Sequence, residues 1–599
     1  MSSDKIVRIG GASGFWGDSA TGATQLAAVQ GLDYISFDYL AELTMSILAG
    51  ARARNPERGY ATDFVDVACR QILKTCVQNG VKLVSNAGGI NPHACAAALA
   101  ALAEELGVTV RIAVVDGDDV MAQAEALRAQ GVTDFYSGAP MPARLISANA
   151  YLGALPLRAA LDAGADVVIT GRVVDSALVL GVLMHEFDWR ADDYDRLAAG
   201  SLAGHIIECG CQATGGLHTD WDRVPGWADM GYPIIECHAD GSFVVTKPEG
   251  TGGLVIAPAV AEQMLYEIGD PASYVLPDVV CDFTQVRIED VGADRVRVSQ
   301  ARGRAPTAHY KVSATYADGF RCQSTLSIVG FDAVAKARRT GEAILERTRA
   351  MFAAQGLQDY SAVALNVIGT EELYGPHAQA LPLREATMRL AVRHPQKAAL
   401  EIFAREIAPA GTSWAPGTTG SLAGGRPGVS PAIRLFTFLI PKEQVSPGVT
   451  LDGAALAVPA APAAAPTDAP ARGAAIAAAA DSGEEAQVSV PLVRLAYARS
   501  GDKGDISNIG IIARHPELLP YVAREVTAER LRAYLAHLVQ GEVTRYEVPG
   551  IGGFNFVLQN ALDGGGMASL RTDPLGKSMG QIALSMMVNV PERLLALGR

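Results

Sequence analysis

A stretch rich in alanine and proline, residues 453–489, divides the chain into two parts of unequal length. It contains few side chains that could pack into a core, and its prolines favour an extended spacer. A chain of 599 residues is also too long for a single hydrophobic core. We therefore expect an interdomain linker between a long N-terminal region and a C-terminal module, residues 490–599.

The N-terminal region, residues 1–230, alternates strand-like and helix-like patterns along most of its length. A helical apolar period covers residues 61–79, and β-branched runs predict strands at residues 5–10, 34–37, 81–85, 108–115 and 166–170. This rhythm predicts an α/β fold whose largely parallel sheet is covered by helices on both faces. Ligands of such sheets lie outside the carboxyl ends of the strands, so the loops that follow strands are the expected place for a site.

The remaining parts of the chain have different secondary-structure patterns. Residues 231–452 carry shorter strand patterns joined by turns, with a helical pattern at residues 333–354, and predict a mixed α+β region that completes the large domain. Residues 490–599 alternate strand patterns with two helical patterns, which predicts a small α+β domain.

Charge and composition argue against several classes of protein. A net charge of −14 disfavours a nucleic-acid partner. No run approaches the roughly 20 apolar residues of a membrane span, and the first residues do not resemble a signal peptide. Eight cysteines in a chain of this length predict no disulfide framework. We expect a cytoplasmic protein with no nucleic-acid or membrane partner, and a homo-oligomer.

Two acidic residues, Asp38 and Glu42, follow the second predicted strand. If a helix begins here, both carboxylates lie on one face of it. Neighbouring carboxylates move each other's pKa values apart and so suit general acid–base catalysis. The alternative is that Asp38 only caps the helix.

A glycine-rich loop containing Gly11 and Ser13 follows the first predicted strand. It departs from the spacing of dinucleotide-binding loops, and fits a turn that lets a ligand approach the backbone.

The loop after the strand at residues 81–85 contains Asn86, Gly88, Gly89 and His93. An asparagine amide can hold a carbonyl or carboxylate, and His93 could transfer protons near neutral pH. The alternative is a left-handed turn followed by a helix with Pro92 at its first position.

Arg172 and Asp175 follow the strand at residues 166–170. The guanidinium suits a carboxylate or phosphate ligand, and a local ion pair between the two residues is the alternative.

A dense cluster of reactive residue types occupies residues 204–218, including His205, Glu208, Cys209 and Cys211. Nucleophilic or proton-transfer chemistry is one interpretation of this cluster. Its C-x-C spacing departs from the usual zinc pattern, so a metal site is a weaker interpretation. Buried packing of the cysteines is the third.

The residues from Arg499 to Ile509, Arg-Ser-Gly-Asp-Lys-Gly-Asp-Ile-Ser-Asn-Ile, follow a predicted strand at residues 493–498. Charged side chains and glycines directly after a strand predict a loop that binds an anion or a polar substrate. Its expected binding residues are Arg499, Asp502, Lys503 and Asn508.

This motif resembles the signature of the small C-terminal ferredoxin-fold domain of AtuA-like proteins of acyclic terpene utilisation. Segments 8–15, 38–42, 85–89, 170–176 and 208–210 resemble the larger AtuA domain of the same family. The resemblance implies a ferredoxin-like C-terminal domain. It also implies a role in the breakdown of terpenoid acids as branched coenzyme A thioesters, by a hydration or a carbon–carbon lyase step.

Three hypotheses follow. In the first, the chain is an acyl-CoA hydratase or lyase in which coenzyme A is part of the substrate and no other cofactor or metal is needed. In the second, it is a non-catalytic accessory or scaffold subunit of an acyl-CoA carboxylase or lyase system, and in the third a metal-dependent hydrolase at residues 205–218. The first hypothesis gives catalytic roles to Asp38, Glu42, His93, Glu208 and Cys209, and substrate-binding roles to Gly11, Ser13, Asn86, Gly88, Gly89, Arg172, Asp175, Arg499, Asp502, Lys503 and Asn508.

Overall fold

The computed structural model describes residues 5–379, 381–420, 424–460, 464, 475–480 and 486–598. Residues 5–207 alternate strands and helices, as the sequence predicts. The strands are β1 (Ile6–Gly11), β2 (Tyr34–Phe37), β3 (Lys82–Ser85), β4 (Ile112–Asp116), β5 (Ser147–Ala150) and β6 (Val167–Thr170). The helices are α1 (Thr21–Ala27), α2 (Glu42–Arg54), α3 (Arg70–Asn79), α4 (Pro92–Leu106), α5 (Ala124–Ala129), α6 (Leu155–Asp162), α7 (Ala177–Phe187) and α8 (Tyr194–Ile207), and a π-helix (Phe64–Cys69) leads into α3.

Five of these strands form the parallel core of a large sheet, in the order β1–β2–β3–β6–β4. Helices α6, α7 and α8 pack on one face, and α1, α3 and α4 pack on the other. The predicted α/β fold is therefore confirmed. Because the strands are parallel, the loops after β1, β2, β3 and β6 meet at one edge of the sheet.

The middle region adds strands to this sheet and builds a second one. Its strands are β7 (Ile234–His238), β8 (Phe243–Thr246), β9 (Tyr274–Val275), β10 (Val280–Asp282), β11 (Arg287–Gly292), β12 (Arg295–Ser299), β13 (Arg302–Arg304), β14 (His309–Val329), β15 (Ala362–Ile368), β16 (Glu385–His394), β17 (Thr418–Gly420), β18 (Val429–Pro441), β19 (Gly448–Leu451) and β20 (Ala454–Leu456). Its helices are α9 (Ala257–Leu265), α10 (Ala333–Ala354), α11 (Lys397–Glu406) and α12 (Ala410–Ser413). Strands β7, β8, β12 and β11 extend the first sheet beyond β1, and β19 and β20 extend it beyond β4. Residues on both sides of position 230 therefore share one sheet.

The second sheet is built around β14, which pairs with β5, β16, β17 and β18. The sequence predicts two strands here, at residues 309–316 and 323–328, but β14 is one continuous strand. Its register against β18 shifts between Ala317 and Phe320. Gly319, with φ +76°, therefore lies in a bulge instead of a turn between two strands.

The C-terminal domain contains the four-stranded sheet β22–β23–β25–β24 and the separate pair β21–β26. The strands are β21 (Gln487–Pro491), β22 (Ala496–Lys503), β23 (Ile506–Ala513), β24 (Val543–Val548), β25 (Gly553–Leu558) and β26 (Met587–Pro591), and the helices are α13 (Leu519–Glu525), α14 (Ala528–Tyr534) and α15 (Met579–Leu584). This is the small α+β domain that the sequence predicts.

The charged motif at residues 499–509 is not a loop after a strand, so that prediction is wrong. Its first half continues β22, with Arg499 opposite Gly510 and Lys503 opposite Ile506 on β23. The chain reverses at Gly504, whose φ of +66° suits a two-residue hairpin turn. Pairing with β23 thus extends the strand through the charged residues.

About half of the predicted linker, residues 453–489, lies outside the described residues. At its start, β20 pairs with β19. Further along, Ile476 packs on the C-terminal core and the Ala479 N–H donates to the Pro520 carbonyl over 2.9 Å. The described parts of the linker therefore belong to one domain or the other. None of the helices in the described ranges combines the length and apolarity that crossing a membrane requires.

Candidate active site

Asp38 lies directly after β2 and is buried. Asn86, after β3, donates from Nδ2 to Asp38 Oδ1 over 2.6 Å, and the Ser13 hydroxyl, after β1, donates to the Asp38 carbonyl over 2.9 Å. Burial, with added repulsion from the carboxylates of Asp175 and Glu208, raises the pKa of Asp38 well above its usual value. Asp38 is therefore protonated more readily than an exposed aspartate, as a general acid requires.

Glu42 does not share a helix face with Asp38, so that prediction is wrong. Helix α2 begins at Glu42 and its N-cap is Ala41, which also excludes Asp38 as the cap. The Asp38 carboxyl group instead accepts the N–H of Leu40, two residues further along the chain, at its Oδ1 over 3.2 Å.

Glu42 stays ionised because cations surround it. The Tyr151 hydroxyl donates to Glu42 Oε1 over 2.8 Å, and Lys311 Nζ lies 3.6 Å from the same oxygen. Burial alone would raise the pKa of Glu42, but the charges of Lys311, Lys503 and Arg172 outweigh it and lower the pKa below the usual value.

Arg172 is buried and donates to Asp175 and to the Val173 carbonyl, the latter over 3.1 Å. Its guanidinium carbon lies 4.1 Å from the centroid of the Tyr151 ring. The structure thus forms the local Arg172–Asp175 ion pair, which the sequence allowed as the alternative to ligand binding. The result is a fixed positive charge beside Glu42.

Glu208 and His205 share a proton at the end of α8. His205 Nδ1 lies 2.8 Å from Glu208 Oε1, and His205 Nε2 lies 3.2 Å from the Met264 carbonyl. Because a carbonyl only accepts, Nε2 carries a hydrogen, and the proton between Nδ1 and the carboxylate belongs to the pair. Burial lowers the pKa of His205, but attraction to Glu208 reverses the effect and raises it. Burial also raises the pKa of Glu208, against the opposing effect of His205.

Gly11 allows the first strand to pack closely against the end of α8. A Cβ at Gly11 would lie 2.4 Å from the Ile207 carbonyl oxygen, one residue before Glu208. Gly88 is similar, since its Cβ would lie 2.5 Å from the Thr170 carbonyl oxygen, and Gly89 adopts φ +53° in the left-handed turn before Pro92. The alternative interpretation of this loop, a left-handed turn followed by a helix with Pro92 first, is confirmed.

Replacing Gly11 with alanine is expected to lower the free energy of unfolding by about 1–3 kcal/mol, because the new methyl group must displace the backbone at the end of α8. Urea denaturation measures this change. The matched control is Gly50→Ala in α2, where nothing lies within 4 Å of the added Cβ. There the change should be neutral or stabilising, by up to about 1 kcal/mol. Equal stabilities of the two variants would contradict the packing role of Gly11.

The C-terminal domain supplies the other half of the site. Lys577 Nζ lies 2.9 Å from both Glu267 Oε1 and Asp502 Oδ1, and it also contacts the Tyr266 hydroxyl. Lys503 Nζ lies 4.0 Å from Glu267 Oε2. Two lysines and two carboxylates therefore alternate across the boundary between the domains.

Asn508 and Arg499 hold this boundary together. Asn508 Nδ2 donates to the Leu265 carbonyl over 2.7 Å, and its Oδ1 accepts the Glu267 N–H over 3.0 Å. Arg499 donates to the Leu217 carbonyl over 3.0 Å and stacks on Tyr266, with its guanidinium carbon 4.9 Å from the ring centroid. We expected both residues to bind substrate. In the structure, both make contacts between the two domains.

Lys503 connects the two halves electrostatically. Burial would lower the pKa of Lys503, but Tyr274, Glu267, Glu42 and Tyr151 together raise it well above its usual value. Its side chain nevertheless keeps 42 % of its exposure and so remains in contact with solvent.

We call these residues the charged cluster: Asp38, Glu42, Tyr151, Arg172, Asp175, His205, Glu208, Glu267, Lys311, Asp502, Lys503 and Lys577. The side chains of seven members keep 15–37 % of their exposure and so contact solvent: Glu208, Asp502, Glu42, Asp175, Glu267, Lys311 and Lys577.

An aromatic loop borders the charged cluster. Phe135 and Tyr136 are exposed and contact each other edge to face, with ring centroids 5.1 Å apart. Asp134 Oδ1 fixes the loop by accepting the Tyr136 N–H over 3.1 Å. Burial raises the pKa of Tyr136, and the charges of Lys503 and Glu42 also act on it, which places its hydroxyl beside the cluster. The loop thus offers apolar surface next to the charged groups.

Cys209 and His93 are poorly placed for the catalytic roles expected of them. Burial and the carboxylates of Glu208 and Glu267 raise the pKa of Cys209 well above normal, so its thiol stays protonated and is a weak nucleophile. His93 is exposed on α4, and its Nε2 lies 2.7 Å from Asp116 Oδ2, outside the charged cluster.

The reactive residues at 205–218 divide into separate pairs. His205 contacts Glu208, whereas His218 Nδ1 lies 2.6 Å from Glu262 Oε2. Over the described ranges, no group of three or more His, Cys, Asp or Glu residues is arranged to hold a metal ion. The geometry therefore favours proton transfer over metal ligation here.

Sequence reasoning did not single out several members of the charged cluster. Tyr151 follows β5, Lys311 lies on β14, and Glu267 follows α9. No motif marks these residues. Glu267 is unusual only in the structure, where its φ of +59° lies in the left-handed region.

Family comparisons agree with this two-domain arrangement. A family model described as acyclic terpene utilisation family protein AtuA matches residues 7–451, and the AtuA ferredoxin-like domain matches residues 490–589. No curated protein and no solved structure gives a significant match. The two matched ranges contain every member of the charged cluster and meet at it. The chain therefore belongs to the acyclic terpene utilisation family AtuA.

Proposed function

We propose that this chain is an enzyme that hydrates, or cleaves a carbon–carbon bond of, a branched acyl-CoA during the breakdown of acyclic terpenoid acids. The observation that carries the proposal is the convergence of an acid with a raised pKa, Asp38, a hydrogen-bonded pair, Glu208–His205, and a cation, Lys503, near the domain boundary. Reactions beside a thioester carbonyl need these three functions together. Family membership supports the terpenoid substrate class.

In the hydration of a 2-enoyl thioester, the Glu208–His205 pair takes a proton from water while the water oxygen bonds to C3. The C2–C3 π electrons move into the thioester, and Lys503 stabilises the enolate oxygen that forms. Asp38 then gives its proton to C2. The proton held by Glu208 returns to Asp38, and the interaction between their carboxyl groups supports this reset.

The same groups serve carbon–carbon cleavage of a 3-hydroxyacyl thioester. The Glu208–His205 pair removes the proton of the 3-hydroxyl group, and the C2–C3 bond breaks as a carbonyl forms at C3. The bond electrons form a thioester enolate, which Lys503 stabilises and Asp38 protonates at C2. In both reactions, the exposed rings of Phe135 and Tyr136 offer apolar surface for a branched hydrocarbon chain.

The test is to incubate the purified full-length chain with branched 2-enoyl-CoA and 3-hydroxyacyl-CoA thioesters and to analyse the products by mass spectrometry. Hydration adds one water to the substrate, whereas cleavage gives a carbonyl compound and a shorter acyl-CoA. Straight-chain thioesters of equal length are the matched controls and should react more slowly. Failure of a correctly folded protein to convert any of these thioesters would count against the proposal.

A further inference from the structure

Four arginines gather where the second sheet meets the C-terminal domain. We call Arg321, Arg389, Arg393 and Arg434 the arginine cluster. Arg321 and Arg393 lie directly opposite each other on β14 and β16, and Arg389 lies four residues from Arg393 on the same strand, so the three share one face of the sheet. Like charges in such positions repel unless something neutralises them.

Few carboxylates compensate this charge. Asp318 is shared, with its Oδ2 2.9 Å from Arg393 Nη2 and 2.5 Å from Arg434 Nε. The carboxylate of Asp563 also acts on Arg393. Burial and the charge of Arg434 lower the pKa of Arg393 despite these two acids. The cluster therefore holds positive charge in excess.

Some guanidinium N–H groups of the cluster donate to backbone carbonyls. Arg389 Nη1 donates to the Leu570 carbonyl over 2.8 Å, and Arg321 Nη1 donates to the Met567 carbonyl over 3.3 Å. Arg393 Nη1 also donates to the Ala568 carbonyl over 3.4 Å, but its Nε has no hydrogen-bond partner in the described chain, and the residue is only 9 % exposed. A buried donor without a partner is costly, which points to a group that binds there.

A glycine loop, residues 563–566, lies against the cluster. Asp563, Gly564 and Gly565 all have positive φ angles, of +57°, +90° and +93°. A Cβ on Gly564 would lie 3.7 Å from Arg434 Nη1, so the loop backbone borders the guanidinium. The Gly565 N–H has no acceptor within the part of the chain that the structure describes. Successive glycines in this conformation form a concave backbone surface that binds anions.

The glycine loop also contacts the β22–β23 hairpin. The Gly564 N–H donates to Asp505 Oδ1 over 3.0 Å, and a Cβ on Gly565 would lie 3.0 Å from the Gly504 carbonyl oxygen. Gly504 directly follows Lys503. The β22–β23 turn thus connects the glycine loop beside the arginine cluster to Lys503 of the charged cluster.

We propose that the arginine cluster and the glycine loop bind the phosphate groups of a nucleotide-bearing ligand, which the proposed function identifies as the nucleotide end of the acyl-CoA substrate. Guanidinium groups match phosphate oxygens in a bidentate manner, and the Gly565 N–H of the glycine loop complements them. The phosphate specificity rests on this geometry alone, whereas the assignment to coenzyme A rests on the proposed function.

Calorimetric titration with adenosine 3′,5′-diphosphate and with coenzyme A tests the site without turnover. Arg434→Gln and Arg393→Gln are each expected to weaken binding about tenfold or more, since each removes a charged hydrogen-bond donor. The control is Arg349→Gln, which removes an exposed arginine paired with Asp359 and should leave both affinities unchanged. Arg434 is partly exposed, so its variant should fold even if Arg393→Gln does not, and melting temperatures check this.

The outcomes separate this inference from the proposed function. Unchanged affinity in folded Arg434→Gln, or no binding of either probe to the unmodified chain, would overturn the phosphate site even if acyl-CoA turnover is observed. Binding of both probes that Arg434→Gln weakens, without turnover of any acyl-CoA, would support the phosphate site and count against the proposed function.

Discussion

Replacing Glu208 with glutamine is expected to lower kcat for the acyl-CoA substrate by about 10²- to 10⁴-fold, the usual contribution of a general base. Glutamine keeps the shape of the side chain and a hydrogen bond to His205, but it cannot accept a proton. Affinity for coenzyme A should change little, because Glu208 lies away from the arginine cluster. Initial rates and calorimetry on the same preparations measure the two effects.

The pH–rate profile separates a base from a merely structural residue. In the unmodified chain, activity should fall as the pH drops through the raised pKa of Glu208, because protonation removes the acceptor. Glu208→Gln should lose this acid limb along with most of its activity. Glu401→Gln, which changes an exposed glutamate on α11 paired with Lys397, is the matched control and should retain both. A folded Glu208→Gln variant with unmodified kcat would exclude Glu208 as the base.

Replacing Asp220 with asparagine is expected to lower the free energy of unfolding by about 3–5 kcal/mol. Asp220 holds Arg514 of the C-terminal domain through both oxygens, at 2.7 and 2.6 Å, with side chains only 2 % and 5 % exposed. Loss of the carboxylate leaves the Arg514 cation buried without a counter-charge. Because the pair joins the two domains, the C-terminal domain should also unfold in a separate, earlier transition, which calorimetric melting would resolve.

The matched control for Asp220 is an exposed ion pair. Arg190 and Asp192 lie 2.5 Å apart with more than half of each side chain exposed. Asp192→Asn should cost less than about 1 kcal/mol, as exposed pairs do. Similar stabilities of Asp220→Asn and Asp192→Asn would show that the buried pair does not hold the domains together.

The sequence predicts the part of the site that depends on the parallel sheet. Asp38, Asn86 and Arg172 follow β2, β3 and β6, and a parallel arrangement brings those loops to one edge whatever the details of packing. The hydrophobic periods that define these strands are strong, so the placement of the loops follows from them. A different prediction failed at Glu42. It placed Asp38 and Glu42 on one helix face, which required α2 to start four residues earlier than it does.

The other half of the site depends on how domains dock, which local patterns do not encode. Lys577 is a charged residue of ordinary appearance until the C-terminal domain places it beside Glu267. The motif marks Lys503, but nothing in the sequence shows that Glu267 lies beside it. The charged residues of β22 also suggested a loop, because polar side chains in sequence usually mean solvent. They belong to a strand because they meet charged partners at the domain boundary.

The pairing of β19 with β4 affects how the protein folds during its synthesis on the ribosome. The Ile112 N–H donates to Asp452 Oδ1 over 3.0 Å across 340 residues of chain. Until residue 452 has emerged, one edge of the parallel sheet stays bare and free to pair with other chains. Expression of any fragment that stops before β19 should therefore give aggregates, and the large domain should fold only late in synthesis.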